Sequence, residues 1–176
     1  MDYKYEMVLH KAQRTIFNDP KRFRVCVSGR RFGKSNMLLQ CIIHRTLSFK
    51  GVVSVLSPET TLVVMPTAVQ VRQILFKPLC KLILETDLKY LLEPKGINQS
   101  TMVIRFRGKP AIKFAGGNDR GGDGCRGIRI YALFLDETQD LLPVVWSEVL
   151  RPAMSDTQDQ NHFPFFLSQA VMPNLN

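Results

Sequence analysis

A lysine and a serine behind a glycine-bearing loop are the residues of this chain whose types and spacing most clearly point to chemistry. Residues 23–35 read FRVCVSGRRFGKS, an apolar run followed by a loop that ends in Gly33, Lys34 and Ser35; a helical pattern, NMLLQCIIHRTL, comes next. Consecutive backbone N–H groups at a helix N-terminus wrap an anionic phosphate tail where glycine leaves room for it. The pattern therefore predicts a phosphate-binding loop (P-loop), in which Lys34 reaches the β- and γ-phosphates and the Ser35 hydroxyl binds Mg²⁺.

This loop matches the pattern G-x-x-x-x-G-K-[ST] except at its first position, where Ser28 replaces glycine. The alternative interpretation, a basic surface turn, leaves the apolar runs on both sides unexplained. We expect a nucleotide to be bound by the loop and the first turn of its helix, which comprise Ser28, Gly29, Arg30, Arg31, Phe32, Gly33, Lys34 and Ser35.

An acidic pair follows another apolar run far along the chain. The run 131–135 (YALFL) is typical of a strand buried on both faces, and Asp136 and Glu137 come directly after it. Ligands lie at the carboxyl ends of strands in open α/β sheets, so we expect the pair beside the P-loop. Asp136 suits Mg²⁺, bound directly or through water, and Glu137 suits the water that attacks a nucleoside triphosphate. The alternative is a helix N-terminal cap within 135–141. A nucleotide kinase, whose second substrate is the nucleophile, does not need Glu137.

Arginines are the third candidate group, because phosphoryl transfer builds charge on oxygens that guanidinium groups stabilise. Arg30 and Arg31 lie in the P-loop and suit a role in their own subunit. Arg126 lies on a glycine-rich segment before the acidic pair and suits a role in a neighbouring subunit. For all three, pairing with nucleic-acid phosphates or with carboxylates is the alternative.

The elements that must position these residues alternate strand and helix, which predicts an α/β sheet with right-handed crossovers. Helices are expected over 5–17, 35–48, 68–84 (kinked or split at Pro78) and 144–150, and strands over 61–65, 131–135 and 163–167, the last followed by Ser168-Gln169-Ala170. Runs 102–106 and 111–114 around a glycine turn predict a β-hairpin. The segment AGGNDRGGDGCRG is expected to be a mobile or disordered connection.

Composition limits the class of protein. The 176 residues fit one domain, and no run of about 18 apolar residues and no signal peptide is present, which predicts a soluble intracellular protein. Four dispersed cysteines and three dispersed histidines argue for reduced thiols and against a structural zinc site. The net charge of +9 divides into +14 for residues 1–130 and −5 for residues 131–176. A basic body with an acidic segment favours polyanionic partners, with a merely soluble basic surface as the alternative.

Together these motifs resemble the ATPase domain of the large terminase subunit of tailed bacteriophages, a motor that drives double-stranded DNA into a preformed capsid. The resemblance rests on GRRFGKS after an apolar strand, TLVVMPTAVQVRQILFKPL, the RG of GCRGIRI, and YALFLDETQD, in this order, over roughly residues 10–155. It implies a P-loop NTPase of the RecA/helicase-like, ASCE type: a mainly parallel α/β sheet flanked by helices, with an added β-hairpin.

The resemblance also implies roles for single residues. Gln13 matches an upstream glutamine that contacts adenine, and Arg30 matches a loop arginine that senses or stabilises the γ-phosphate. Asp136 and Glu137 match the metal-binding and catalytic acids, and Arg126 matches an arginine that completes the neighbouring subunit's site in a ring. The implied cofactors are ATP and Mg²⁺, and the implied partners are sequence-independent double-stranded DNA, further copies of the chain in a ring, the portal protein and the small terminase subunit, all in the cytoplasm of the bacterial host.

Two features depart from that family. Ser168-Gln169-Ala170 stands where the coupling motif usually reads Ser-Thr-Pro, and no RNase H-like nuclease follows, so we expect one P-loop domain over 1–176, incomplete at its C-terminus and without nuclease activity. A catalytically weak or inactive nucleotide- or DNA-binding remnant, or another ASCE-type DNA-dependent ATPase, is the competing hypothesis. A two-lobed helicase is not expected, because only 39 residues follow Glu137.

Overall fold

A seven-stranded sheet organises the chain. The structure, a computed structural model, describes residues 6–21, 23–29, 31–56, 58–155 and 163–169, the last range and residue 155 by their backbone only. The strands are β1 (Arg24–Ser28), β2 (Glu59–Met65), β3 (Leu92–Asn98), β4 (Val103–Phe106), β5 (Ala111–Gly116), β6 (Arg129–Leu135) and β7 (Phe163–Gln169). The α-helices are α1 (Lys11–Phe17), α2 (Lys34–Leu47), α3 (Ala68–Val71), α4 (Lys77–Glu85) and α5 (Arg151–Ser155). Two π-helical segments (Arg72–Phe76 and Val145–Leu150) and three 3-10 turns (Asp87–Leu91, Asp119–Cys125 and Thr138–Asp140) complete the elements.

The strand order is β1-β7-β6-β2-β5-β4-β3, and the first five strands in this order run parallel. β4 is antiparallel to both β5 and β3. The α/β prediction of a mainly parallel sheet with an added hairpin is therefore confirmed, and β3 is a further strand that the sequence pattern did not predict. Strands β1, β7, β6, β2 and β5 all end at one edge, which we call the carboxyl edge, and β7 lies between the strand before the P-loop and the strand before the acidic pair.

Both faces of the central strands are covered by packed side chains. Alternate residues of each strand point to opposite faces of the sheet, so each strand contributes to both cores. On one face, residues such as Val63, Met65 and Phe134 belong to a core cluster with the apolar side of α2 and α4. On the other face, Leu62, Val64, Leu133 and Leu135 belong to a cluster with Val145, Val149, Leu150 and Met154.

The P-loop strand β1 differs from the central strands. Cys26 is buried, but Val25 and Val27 are 68% and 62% exposed. β1 stands at the end of the strand order, and its alternating burial leaves the face of Val25 and Val27 exposed.

Helix α1 begins at Lys11 and not at residue 5 as the apolar spacing predicted. His10 and Gln13 form a capping box at its N-terminus. The backbone of Val8 is held by the side chain of Gln40, which accepts from Val8 N at 2.7 Å and donates to Val8 O at 2.9 Å. Residues 6–9 therefore lie outside the helix, because the backbone groups of Val8 bond to Gln40 of α2 rather than to a helical turn.

Two prolines explain the two π-helical segments. The helix predicted over 68–84 is interrupted over Arg72–Phe76, where the Lys77 N–H bonds the Arg72 carbonyl one residue before Pro78. The Arg151 N–H bonds the Trp146 carbonyl in the same way, one residue before Pro152. A proline ring crowds the carbonyl four residues back, and a wider turn relieves that contact. The break at Pro78 is confirmed, and around it Phe76 is buried while Ile74 is exposed.

The glycine-rich segment after β5 is folded. Residues 119–125 form 3-10 turns with Arg120, Gly121 and Gly122 at positive φ, and Gly122 and Cys125 are buried. Cys125 belongs to the same cluster as Val145 and Val149. The expectation of a disordered connection is therefore wrong, whereas that of a mobile element stays a prediction. The glycines allow a tight path over the sheet instead.

Candidate active site

The P-loop turns sharply into α2 at Gly33. This residue has φ +78° and ψ 28°, a left-handed conformation that side chains other than glycine rarely adopt. A Cβ at this position would also lie 2.9 Å from Gln13 Nε2. The backbone conformation thus favours glycine at position 33, and a larger residue there would also displace the Gln13 amide.

Lys34 bonds the loop that precedes it. Its Nζ donates to the Ser28 carbonyl at 2.9 Å and to the Gly29 carbonyl at 3.4 Å. The ammonium is therefore held at the carboxyl edge, above the end of β1. Ser35 follows it in the first turn of α2 and is half-buried, and Arg31 is exposed with φ +65°.

Gln13 is buried against the P-loop, with 3% of its surface exposed. Its Nε2 donates to the Phe32 carbonyl at 3.0 Å and to the Gly33 carbonyl at 3.2 Å, and its Oε1 accepts from His10 N at 3.2 Å. The structure brings Gln13 to the site. In this conformation its amide holds the loop backbone.

His10 is a site residue that the sequence pattern did not reveal. Its Nδ1 accepts from Gln13 N at 3.4 Å, its Nε2 lies 3.3 Å from the Phe32 carbonyl, and its ring packs edge-on against Phe32 at 5.0 Å between centroids. These contacts correspond to the tautomer in which Nδ1 accepts and the Nε2 hydrogen is donated to the Phe32 carbonyl. The only sequence signal was its place three residues before Gln13, as in a capping box.

Asp136 is buried at the carboxyl edge, with 2% of its surface exposed. Its N–H continues the ladder to the Val64 carbonyl at 3.0 Å, and its Oδ1 accepts from Glu137 N at 3.0 Å. Burial raises the pKa of Asp136 to about 6, although the Glu137 N–H opposes that shift; the Glu137 carboxylate adds to it and the Lys34 ammonium lowers it. Lys34 and Asp136 both lie at the carboxyl edge, at the ends of β1 and β6, which are separated by β7.

Glu137 has a strained backbone, with φ +52° and ψ 46°. A side chain in this left-handed region costs about 1–2 kcal/mol and persists only where its surroundings impose it. Its Oε2 accepts from Gln139 Nε2, and the 3-10 turn Thr138–Asp140 follows directly, with Asp140 N donating to the Glu137 carbonyl at 3.0 Å. Gln139 is a second contact that sequence reasoning missed, although it stands only two residues after the acid.

Arg126 lies away from the acidic pair within one chain. It precedes the amino end of β6, whereas Asp136 and Glu137 follow the carboxyl end, and a seven-residue strand spans about 20 Å. Arg126 Nε is 3.3 Å from Asp123 Oδ1, and both side chains are at least half exposed.

Two predicted elements are described in part. Arg30 lies outside the described residues, so no contact of its side chain is assigned. Gln169, at the end of β7, is in register with Ser28, while Ala170 also lies outside the described residues.

The donor set suits Mg²⁺ and a triphosphate. Mg²⁺ prefers oxygen ligands such as a carboxylate and a hydroxyl, which Asp136 and Ser35 offer. A buried carboxylate with a raised pKa is one whose charged form a cation would stabilise. The α2 N-terminus and the Lys34 ammonium supply the positive field that phosphate oxygens require.

Comparison with solved structures identifies the fold. The large terminase of the thermophilic bacteriophage D6E is 17% identical, with a TM-score of 0.66 over 92% of this chain. The large terminase ATPase domain of Thermus phage P74-26 is also 17% identical, with a TM-score of 0.70 over 96% of this chain and 67% of that domain. The large terminase of bacteriophage HK97 is 15% identical, with a TM-score of 0.69 over 92% of this chain. The chain thus has the P-loop NTPase fold of large terminase ATPase domains, as predicted.

The match has limits in extent and in sequence. The chain spans 39% of the length of the D6E protein and 33% of the HK97 protein. The sequence matches no protein-family model and no curated protein. No helix among the described residues is long and apolar enough to cross a membrane.

Proposed function

We propose that this chain binds ATP with Mg²⁺ and hydrolyses it, and that it does so as the motor of a terminase that translocates double-stranded viral DNA. The observation that carries the proposal is the shared position of Lys34 and Asp136. They come from motifs about 100 residues apart in sequence, yet Lys34 bonds the Ser28 carbonyl at the end of β1 and Asp136 follows the end of β6, at the same edge of the sheet. Solved structures of the D6E large terminase in complex with ADP and with ATP-γ-S support nucleotide binding by this fold.

On binding, Lys34 exchanges the Ser28 and Gly29 carbonyls for phosphate oxygens, and the α2 N–H groups contact the same phosphates. Asp136 and Ser35 would hold Mg²⁺, which would supply positive charge to the phosphates. Glu137 orients the attacking water and accepts its proton. For this, its carboxylate must leave the hydrogen bond from Gln139 or share it.

Arginines complete the proposed site. Arg30 and Arg31 act from the P-loop of the same subunit. Arg126 acts on the site of a neighbouring copy, because within one chain it lies at the other end of β6 from Glu137. The proposed assembly is therefore a homo-oligomeric ring on the portal protein, with the small terminase subunit as a further partner.

DNA contact is proposed to be through phosphates, given the net charge of +9. Binding should be independent of sequence and fall steeply as salt rises. Fluorescence anisotropy with two unrelated duplexes at several salt concentrations measures both properties. Tight binding that prefers one duplex at high salt would contradict the proposal.

The direct test of ATP binding is calorimetric titration of Mg²⁺-ATP into the chain and into Lys34→Ala. We expect binding by the chain and at least a hundredfold weaker binding by the variant, because the phosphate charge loses its partner. Lys81→Ala removes an exposed lysine of a surface ion pair and is the matched control. Absence of binding by the unaltered chain at millimolar ATP would overturn the proposed function.

A further inference from the structure

Asn118 joins three connections that meet at the carboxyl edge. Its Nδ2 donates to the Asp140 carbonyl at 2.8 Å, and its Oδ1 accepts from Leu142 N at 2.9 Å. Its own N–H donates to the Pro66 carbonyl at 2.9 Å. One half-buried residue after β5 thus bonds both the turn after β2 and the connection after β6.

The backbone that carries Asn118 is itself fixed from both sides. Gly117 N donates to the Met65 carbonyl at 2.8 Å, and Asp119 Oδ2 accepts from Ala68 N at 2.7 Å. A Cβ on Gly116 would lie 2.3 Å from Ala68 N, so only glycine allows this approach. Because Gly117 and Asp119 are both hydrogen-bonded to the chain after β2, the backbone position of Asn118 is fixed. Its side chain can therefore hold the connection after β6 in place.

That connection contains Glu137. The turn Thr138–Asp140 directly follows Glu137. At the end of the turn, Asn118 donates to the Asp140 carbonyl and accepts from Leu142 N. At its other end the turn is held by the β6 ladder, through Asp136 N and the Val64 carbonyl. Glu137 therefore lies between two anchored points, which is the arrangement that imposes a left-handed conformation on a residue other than glycine.

We propose that Asn118 is a positioning residue for Glu137: its two amide bonds hold the acidic turn in the conformation that presents the Glu137 carboxylate to the site. The catalytic part of this inference rests on the proposed ATPase function. The structural part concerns only the conformation of residues 136–142, so the two can fail separately.

The test compares Asn118→Ala and Asn118→Asp with Asn98→Ala. Asn98 is the matched control, because its Oδ1 also accepts backbone N–H groups in a turn, those of Ser100 and Thr101, but on the β3–β4 connection. Asn118→Asp keeps the acceptor for Leu142 N and loses the donor to the Asp140 carbonyl. It carries the test if Asn118→Ala does not fold.

Two measurements are made on each variant. Amide hydrogen exchange should rise at least tenfold over residues 136–142 in the Asn118 variants, and stay unchanged over the P-loop and in Asn98→Ala. Steady-state ATP hydrolysis should lose about tenfold in kcat with KM within twofold, and this loss should vanish when Glu137 is already glutamine.

Unchanged exchange over 136–142 would overturn the inference whatever the activity. Faster exchange with an unchanged kcat would overturn the assignment to Glu137 while leaving ATP hydrolysis intact. Failure of the unaltered chain to bind ATP would overturn the proposed function alone, because the exchange result does not depend on it.

Discussion

The P-loop and the acidic turn lie at the same edge of the sheet, but they are built from different ranges of sequence. The P-loop is held by residues close to it in the chain: Lys34 bonds its own loop, and Gln13 and His10 reach it from the preceding helix. The acidic turn is held by Asn118, which lies 22 residues before Asp140, and by the β2 ladder at Val64, which lies 72 residues before Asp136. A phosphate-binding loop can therefore be identified from a short motif, whereas the conformation of the acidic turn also depends on β2, the neighbouring strand of β6 in the sheet.

The two regions also differ in their electrostatics. The Lys34 ammonium donates hydrogen bonds to backbone carbonyls, whereas burial of Asp136 disfavours the charged form of its carboxyl group. Removing the Lys34 ammonium should therefore weaken ATP binding, whereas neutralising Asp136 should raise the stability of the chain without ligand.

Glu137→Gln should lower kcat by about a thousandfold and leave Mg²⁺-ATP affinity within threefold, because a general base contributes roughly 10²–10⁴ to rate and little to binding. Phosphate release under saturating ATP measures kcat, and calorimetry measures affinity. Lys34→Ala should do the reverse and lose binding first. Turnover that is unchanged in Glu137→Gln would remove Glu137 from the catalytic role.

Asp136→Asn should stabilise the chain at neutral pH when Mg²⁺ and nucleotide are absent. The folded chain keeps a proton on Asp136 up to a pKa of about 6, whereas the unfolded chain loses it near the ordinary value of 3.8. The contribution of Asp136 to stability is thus fully present below about pH 4 and is lost as pH rises through 6, by on the order of 3 kcal/mol.

Urea unfolding between pH 4 and 7 in the presence of EDTA measures that change. The unaltered chain should lose stability over this range relative to Asp136→Asn, whose amide can still accept from Glu137 N. Parallel curves for the two proteins would show that the carboxylate is not disfavoured by burial.

Gln13→Ala should weaken ATP binding about five- to tenfold, because the Phe32 and Gly33 carbonyls lose the amide that orders them. Gln40→Ala is the matched control: it is also a buried glutamine on backbone partners, but these belong to Val8. Both variants should lose about 1–3 kcal/mol of stability. Equal ATP affinity in the two variants would mean that Gln13 only supports the fold.

Arg126→Ala should have the smallest effect in dilute solution, with turnover within twofold of the unaltered chain. Its side chain pairs with Asp123 on an exposed surface, at the opposite end of β6 from Asp136 and Glu137. Turnover should fall only at concentrations where copies associate, which light scattering detects. A large loss in the monomer would place Arg126 in its own subunit's site.

How far the sequence predicts this molecule depends on the range of the contacts. The strand, loop and helix over 24–47, the strand β6 before the acidic pair, the hairpin and the break at Pro78 follow from local patterns and are confirmed. The start of α1, the open face of β1 and the extra strand β3 depend on partners elsewhere in the chain, such as Gln40 for Val8. The assigned chemical roles of the site residues stay predictions.

The site shows the same division. Gln13 was placed by resemblance, but its contacts with the loop carbonyls and with His10 emerge only in three dimensions. Asn118 had no sequence signal at all, because its partners follow β2 and β6. Burial of Asp136 likewise results from the pairing of β6 with β7 and β2, and not from its neighbours in sequence.

The central claim is that the P-loop and the acidic turn form one Mg²⁺-dependent nucleotide site. The most direct measurement is the affinity for ATP with Mg²⁺ and with EDTA, in the unaltered chain and in Asp136→Asn. We predict that Mg²⁺ tightens ATP binding at least tenfold in the unaltered chain and by less than twofold in the variant. An equal effect of Mg²⁺ on both proteins would contradict the claim.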